Sequence, residues 1–389
     1  MSPESRPKPP GGRERRLVIW RSAMLAGSET FVRNHGDALT RWTPTYLGAT
    51  RDDSPLARES DVIAYPGGGG DRRAFLRLRL TGSSPRLRRL LAGARPDLVH
   101  AHFGGDGWLV SGSAARLGIP LVVTTHGHDV TRQPDSGGLK GVRYRRNLRA
   151  VFGRAALVLA ASEVIRERAI ARGADPERVR VHYTGVPVPA EVPAVPAEWD
   201  VVFVGRFTEK KGVDDLIAAL GVLRPTRPRA LFVGSGPLRE QTEAYAKDLG
   251  VDVTFAGPLP PAEVARHLAA ARVLAAPSKT ASDGDTEGLP TTILEAGALG
   301  VPVVSTRHSG IPEAVVDGET GLLGPEADPA ALARNLHRLL SDDALRARLG
   351  RTARAHVAGN FNLATQTGKL EDLYDEVVAN ERTGSLTPP

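Results

Sequence analysis

The chain contains no cysteine and two methionines, and aromatic side chains make up only 5% of its 389 residues. Without cysteine there are no disulfides, thiolate metal sites or cysteine nucleophile, and the redox compartment stays undetermined. So few aromatics weigh against nucleic-acid binding, which interleaves basic patches with stacking rings. No apolar run reaches about 18 residues, so a membrane-spanning helix is not expected. The opening Met1-Ser-Pro-Glu-Ser-Arg-Pro-Lys-Pro-Pro-Gly-Gly lacks the apolar centre of a signal peptide. It reads as part of a disordered basic tail over 1–15, and 383–389 reads as a second tail. A cytoplasmic enzyme is the expectation.

The chain is long enough for two domains with sizeable cores, and its 41% hydrophobic content is that of an ordinary globular protein. Charge is divided unevenly. Residues 1–190 hold 31 Lys+Arg against 17 Asp+Glu, a difference of +14, and residues 191–389 hold 20 against 27, a difference of −7. Basic residues concentrate at 72–95 and 143–149. This fits a first half that faces something anionic, such as the inner surface of the cell membrane, and it also fits ordinary solvated helix faces.

Short apolar runs alternate with longer helical patterns, the signature of repeated βα units and parallel sheets. Strands are expected at 17–20, 46–48, 61–65, 97–103, 121–125, 156–160 and 179–183. A stretch with four prolines follows at 186–197 and favours an extended linker. The pattern restarts at 200–204, 230–233, 253–255, 273–276 and 301–305. Helices are expected at 329–340, 343–357 and 363–378.

Several short segments carry candidate chemistry. In Asp285-Thr-Glu-Gly-Leu-Pro-Thr-Thr-Ile-Leu-Glu295, seven residues separate Glu287 from Glu295. Pro290 suits a first helical turn, which puts Glu287 before the helix, beside its free N–H groups, and Glu295 more than a turn inside. Alone, the pair reads more readily as a capping acid and an ordinary polar helix residue than as a functional pair. Gly205-Arg-Phe-Thr-Glu-Lys-Lys-Gly212 follows a strand and opens a helix, so Arg206 and Lys211 can meet a phosphate there, or form an exposed basic loop. Gly234-Ser-Gly-Pro-Leu-Arg239 lacks the third glycine of a dinucleotide fingerprint and reads as a turn that lets a ligand approach. In Thr124-Thr-His-Gly-His-Asp129, His126 can donate to a sugar hydroxyl, although a lone histidine is more often structural. Ala26-Gly-Ser-Glu-Thr-Phe-Val32 joins the first strand to a helix, with Ser28 as its expected N-cap.

Taken together, Glu287-Gly-Leu-Pro, Glu295-Ala-Gly-Ala-Leu-Gly-Val-Pro-Val-Val-Ser305, Ser309-Gly-Ile-Pro-Glu313 and Asp317-Gly-Glu-Thr-Gly-Leu-Leu323 resemble the donor-site block of family-4 retaining glycosyltransferases. The likeness runs from about residue 15 to 380. It is highly specific in the second half and moderately so in the first, where Gly27-Ser28-Glu29 stands in place of the common double glycine and resembles the exopolysaccharide branch of colanic-acid type. Thr184-Gly-Val-Pro187 also departs from the usual Asn-Gly-Val-Asp.

The resemblance implies an α/β chain of GT-B fold, two Rossmann-like domains with parallel sheets facing across a cleft. The expected divisions are 16–186 for an acceptor domain, 187–199 for the linker, 200–364 for a nucleotide-sugar donor domain, and 365–382 for a helix crossing back to the first domain. It implies His126 and Glu287 near the donor sugar, Arg206 and Lys211 on the diphosphate, and Glu295 on the ribose. Gly27, Ser28, Gly205, Gly234, Gly257, Gly288, Leu289, Pro290, Thr291 and Thr292 would line the donor. No metal or cofactor is implied beyond a nucleotide-diphosphate sugar as co-substrate, and the acceptor would be a glycan, a lipid-linked glycan or a small molecule. A sugar phosphorylase or nucleotide-sugar epimerase of the same fold is the alternative, and a nonenzymatic nucleic-acid binder a remote one.

Overall fold

The computed structural model describes residues 14–192 and 195–383. The tails expected at 1–15 and 383–389 lie outside the described residues, except at their inner ends, where Arg15 already opens a strand and Thr383 still closes a helix.

Two compact units result. One runs to Gly185 and takes up the chain again from Leu363, and the other spans Val186–Asn362. The first holds β1 (Arg15–Met24), β2 (Trp42–Arg51), β3 (Val62–Ile63), β4 (Leu98–His102), β5 (Leu121–Thr125), β6 (Leu157–Ala160) and β7 (Val179–Val181). These pair in the order β3-β2-β1-β4-β5-β6-β7, all parallel. The second holds β8 (Trp199–Val204), β9 (Ala230–Val233), β10 (Val253–Gly257), β11 (Ala271–Ala276), β12 (Val303–Thr306) and β13 (Gly321–Gly324), in the order β10-β9-β8-β11-β12-β13, again parallel. In each sheet the order reverses beside the first strand, between β1 and β4 and between β8 and β11. Ligands in such sheets bind outside the carboxyl ends of the strands at that reversal.

Parallel strands covered on both faces need apolar residues at both parities. In β1, Val18 and Trp20 enter one core with Leu109, Val110 and Val151, while Leu17 and Ile19 enter another with Trp42, Tyr374 and Val377. That second core explains why the helix Leu363–Thr383 belongs to the first unit. Its Leu370, Tyr374 and Val377 pack on the sheet, and the Glu371 carboxylate accepts the main-chain N–H groups of Thr40, Arg41 and Trp42 at 2.7, 2.6 and 3.2 Å.

Three boundaries differ from expectation. Trp199, assigned to the linker, opens β8, and the chain returns to the first unit at Leu363 rather than 365, where the helix expected from 363 begins. The division between units falls at Val186, whose N–H donates to Phe361 O at 2.8 Å, so the outgoing and returning chains are tied together. β13 was not expected at all. Its Gly-Leu-Leu-Gly run carries no β-branched residue, and it becomes a strand through its pairing with β12.

Candidate active site

In the second unit the turns after β8, β9 and β10 are laced together. Gly205 N–H donates to Val233 O at 3.0 Å, Phe207 N–H to Ser235 O at 2.9 Å, and Gly234 N–H to Gly257 O at 2.8 Å. Gly234 has a structural role here besides the ligand approach expected of it. It takes φ +132, and a Cβ there would lie 2.0 Å from Gly205 O, so the glycine lets two turns touch. Thus Gly205, Gly234 and Gly257 form one rigid shelf at the strand ends. Lys211 closes a short 3-10 turn, Glu209–Lys211, before the helix Val213–Val222. Arg206 is exposed, and among the described residues no carboxylate pairs with it.

Glu287 lies just ahead of the helix Thr291–Ala298, whose first turn, entered through Pro290, has no side-chain cap. Gly288, Leu289 and Pro290 are buried at this entry, and Thr291 and Thr292 are partly exposed. The Glu287 carboxylate sits 3.2 Å from Lys211 Nζ and 3.9 Å from Lys210 Nζ. Burial pushes its pKa up, but the charges of Lys211 and then Lys210 outweigh this and hold it below the ordinary glutamate value. The group is therefore ionised at neutral pH. Lys210 also reaches Asp285 Oδ1 at 3.2 Å, which commits that carboxylate to an ion pair.

Glu295, eight positions on, behaves in the opposite way. Some of its surface reaches solvent, yet its surroundings are so apolar that desolvation alone pushes the carboxyl up to about 7. No cation or hydrogen-bond donor meets it among the described residues. A polyol hydroxyl is the kind of donor that would satisfy it.

In the first unit, Gly27 and Ser28 form the exposed tip of a turn closed by Glu29 N–H to Ala26 O at 2.9 Å. Ser28 does not cap the helix Thr30–Ala38, whose N-cap is Glu29 and which has no side-chain cap bond. Tertiary charge decides this. Arg21 reaches back from β1, its Nε donating to Glu29 Oε2 at 2.9 Å, and pairs as well with Glu29 Oε1 and Asp106. Burial works against the Arg21 charge, but Asp106 and Glu29 overcome it and raise its pKa.

His126 stands at the carboxyl end of β5, partly buried, with its Nε2 3.1 Å from His102 Nδ1 and its ring between Phe31 and Phe103. Burial first, then the Arg21 charge, push its pKa well below the ordinary imidazole value, so the ring is neutral. Gly127 takes φ +132 beside it, a conformation that favours glycine. The loop is locked by Asp129, whose Oδ1 accepts the N–H groups of His126 and Gly127, both at 3.0 Å, while Oδ2 accepts that of Gly104 at 2.9 Å.

These features have counterparts among known proteins. The family described as Glycosyltransferase Family 4 matches residues 25–188, and that described as Glycosyl transferases group 1 matches 189–356. A D-inositol 3-phosphate glycosyltransferase of Corynebacterium efficiens is 31% identical over 383 residues, covering 90% of this chain and 88% of the relative. The chain belongs to the family-4 glycosyltransferases. This family-4 chain is also 33% identical over 296 residues to WcaL of Salmonella typhimurium, named for colanic acid biosynthesis, covering 72% of the chain and 71% of the relative. Sucrose-phosphate synthase from Thermosynechococcus elongatus superposes with a TM-score of 0.75 at 22% identity, over 94% of this chain and all of that one. HepE of Anabaena, solved with UDP and glucose, gives 0.74 at 20% identity, over 93% and 100%. The fold of this glycosyltransferase is GT-B.

Sequence reasoning missed several residues that build these sites: Lys210, His308, Ser309 and Glu326 around Glu287, and Arg21, Glu29 and Asp106 behind the Gly27–Ser28 turn. Lys210, Ser309 and Glu29 stood inside segments already singled out. Arg21 and Asp106, 85 positions apart, carried no local signal.

Proposed function

We propose that this glycosyltransferase retains anomeric configuration, takes its sugar from a nucleotide diphosphate, and needs no metal ion. The observation that carries this is the Glu287 carboxylate held between Lys210 and Lys211 at the uncapped start of the helix Thr291–Ala298. Arg206 and Lys211, with the N–H groups around Gly288–Thr292, would stabilise the charge that develops on the departing diphosphate. Lys211 carries three donors, and Glu287 meets it as an ion pair at 3.2 Å. Glu287 would orient the sugar from beside them, Glu295 would take the ribose, and the neutral imidazole of His126 would donate to the sugar. Chelation tests the mechanism: EDTA should leave turnover unchanged, and activity lost to EDTA and restored by magnesium or manganese would overturn it. Turnover strictly dependent on inorganic phosphate, or requiring no acceptor, would favour the phosphorylase or epimerase alternatives.

The acceptor we favour is a lipid-linked glycan of an exopolysaccharide assembled at the inner face of the cell membrane. WcaL and the amylovoran biosynthesis enzyme of Erwinia amylovora, 32% identical over 292 residues, lend support. Charge and apolar exposure support it as well. Leu139 is 87% exposed and Val142 55%, and with the exposed Arg146 and Arg149 they share one face of the helix Gly138–Arg154. The neighbouring helix Gly69–Thr81, tied on by Arg143 to Arg79 O, exposes Leu76 and Leu80 among four arginines. Apolar residues set among cations suit an anionic bilayer surface. No helix among the described residues is long and apolar enough to cross a membrane.

A further inference from the structure

Glu287 stands in 277–290, a stretch with neither helix nor strand, so no regular ladder fixes its main chain. Side chains of two consecutive residues after β12 do so instead. Glu287 N–H donates to His308 Nε2 at 3.1 Å, and Ser309 Oγ donates to Glu287 O at 2.7 Å. An accepting Nε2 carries no proton, so the proton of the neutral ring sits on Nδ1. That nitrogen lies 2.7 Å from Glu326 Oε1, where a carboxylate can only accept. Glu326 is itself held, its Oε2 accepting Thr280 N–H at 2.7 Å. His308 is 1% exposed, so water does not compete for either ring nitrogen. Ser309 takes φ +47, the left-handed region that a non-glycine residue occupies only when its surroundings over-determine it.

We propose that His308 is a positioning residue for Glu287. It fixes the main chain from which the carboxylate reaches Lys210 and Lys211, and Glu326 fixes the tautomer that lets it do so. The effect on turnover rests on the reading of Glu287 as the group that orients the donor sugar. The effect on the Glu287 main chain does not, and it can be measured separately.

Amide hydrogen exchange at Glu287 in the full-length protein, read by fragmentation mass spectrometry, gives that separate measurement. His308→Ala should speed exchange there by about 10-fold or more, the loss of one net hydrogen bond, and leave β8 and β9 unchanged. His308→Gln, whose amide oxygen can accept in place of Nε2, should stay within about 3-fold of wild type. Turnover, with whichever of the UDP-, GDP-, ADP- and dTDP-sugars supports it, should rank the variants in the same order. Affinity for the matching free nucleoside diphosphate should move by less than about 2-fold, a split that general destabilisation would not produce. On a Glu287→Gln background, His308→Ala should add no further loss of turnover. If His308→Ala does not fold, His308→Leu, which fills the buried site but cannot accept, replaces it in both measurements. Unchanged exchange at Glu287, or losses that simply add in the double variant, would overturn the proposal. Fast exchange in His308→Ala with normal turnover in Glu287→Gln would support the positioning and sink the sugar-orienting role instead.

Discussion

At the end of the first sheet Arg21 is buried and engages Glu29 on one side and Asp106 on the other, and Asp129 receives three main-chain N–H groups. At the end of the second sheet, among the described residues, Arg206 is exposed with no carboxylate against it and Glu295 has no donor. Both regions are rich in charge, yet they use it differently. In the first, polar groups satisfy one another and freeze the loops that carry Gly27, Ser28 and His126. In the second, Arg206 and Glu295 are left available beside the Lys210–Lys211–Glu287 ion pairs, and the turns after β8, β9 and β10 are laced main chain to main chain. A buried ion network sets geometry at a high cost to disturb, whereas exposed cations cost the fold little and are free to meet a ligand.

The strongest way to break this contrast is to remove one arginine from each region. Arg21→Met should destabilise the protein by about 3–5 kcal/mol, because Glu29 and Asp106 lose their cation inside the fold. Arg206→Met should cost less than about 0.5 kcal/mol, as surface changes do. Equal urea-unfolding midpoints for the two variants would remove the distinction. Next in size is Lys211. Lys211→Ala should lower turnover on the order of 100-fold or more, like the loss of one preorganised donor, and Lys211→Arg should recover only part of that. Near-normal turnover of the alanine variant would take the diphosphate role from it.

Glu295 sharpens the comparison through pH. An acid whose folded pKa is raised binds its proton more tightly when folded. Its contribution to stability is therefore fully present below the unfolded value near 4.5 and is lost as pH rises to about 7. Glu295→Gln should accordingly raise stability at pH 8 by about 1–3 kcal/mol and change little at pH 4. If Glu295 takes the ribose as proposed, the hydroxyls would donate to its ionised form, so sugar-nucleotide affinity should climb between pH 6 and 8 and flatten in the glutamine variant. A wild-type profile identical to that of Glu295→Gln would remove the ribose from this residue. The smallest expected effect is at the surface. Neutralising Arg146 and Arg149 should weaken binding to anionic vesicles by about 1 kcal/mol each at low salt, with no change in fold. If the wild type ignores such vesicles, a soluble acceptor replaces the lipid-linked one.

Much of the fold was legible because buried parallel strands must be continuously apolar. The runs at 121–125 and 230–233 announce β5 and β9 without reference to anything else. β13 was not legible, since Gly-Leu-Leu-Gly acquires strand character only from its partner β12. Ser28 shows the same limit for caps. Local rules favour serine at a helix start, yet the salt bridge from Arg21 fixes Glu29 at that place. At the candidate site, Glu287, Lys211 and Arg206 could be singled out because each stands in a short segment that ends at a strand or opens a helix. Lys210, although in the same segment as Lys211, and His308, outside any such segment, were missed because their importance lies in what they touch.

The sequence by itself determined two parallel α/β units, the strand ends at which chemistry can occur, and the family to which the chain belongs. Periodicity, turn residues and local motifs are properties of neighbours along the chain. Only the tertiary structure decided which charges are free and which are bound. It made Glu287 ionised between lysines, pushed Glu295 up to about 7, kept His126 neutral, and set the proton of His308 on Nδ1. Each of these states depends on which groups lie within a few ångströms and how much water remains between them, and distance along the chain encodes neither.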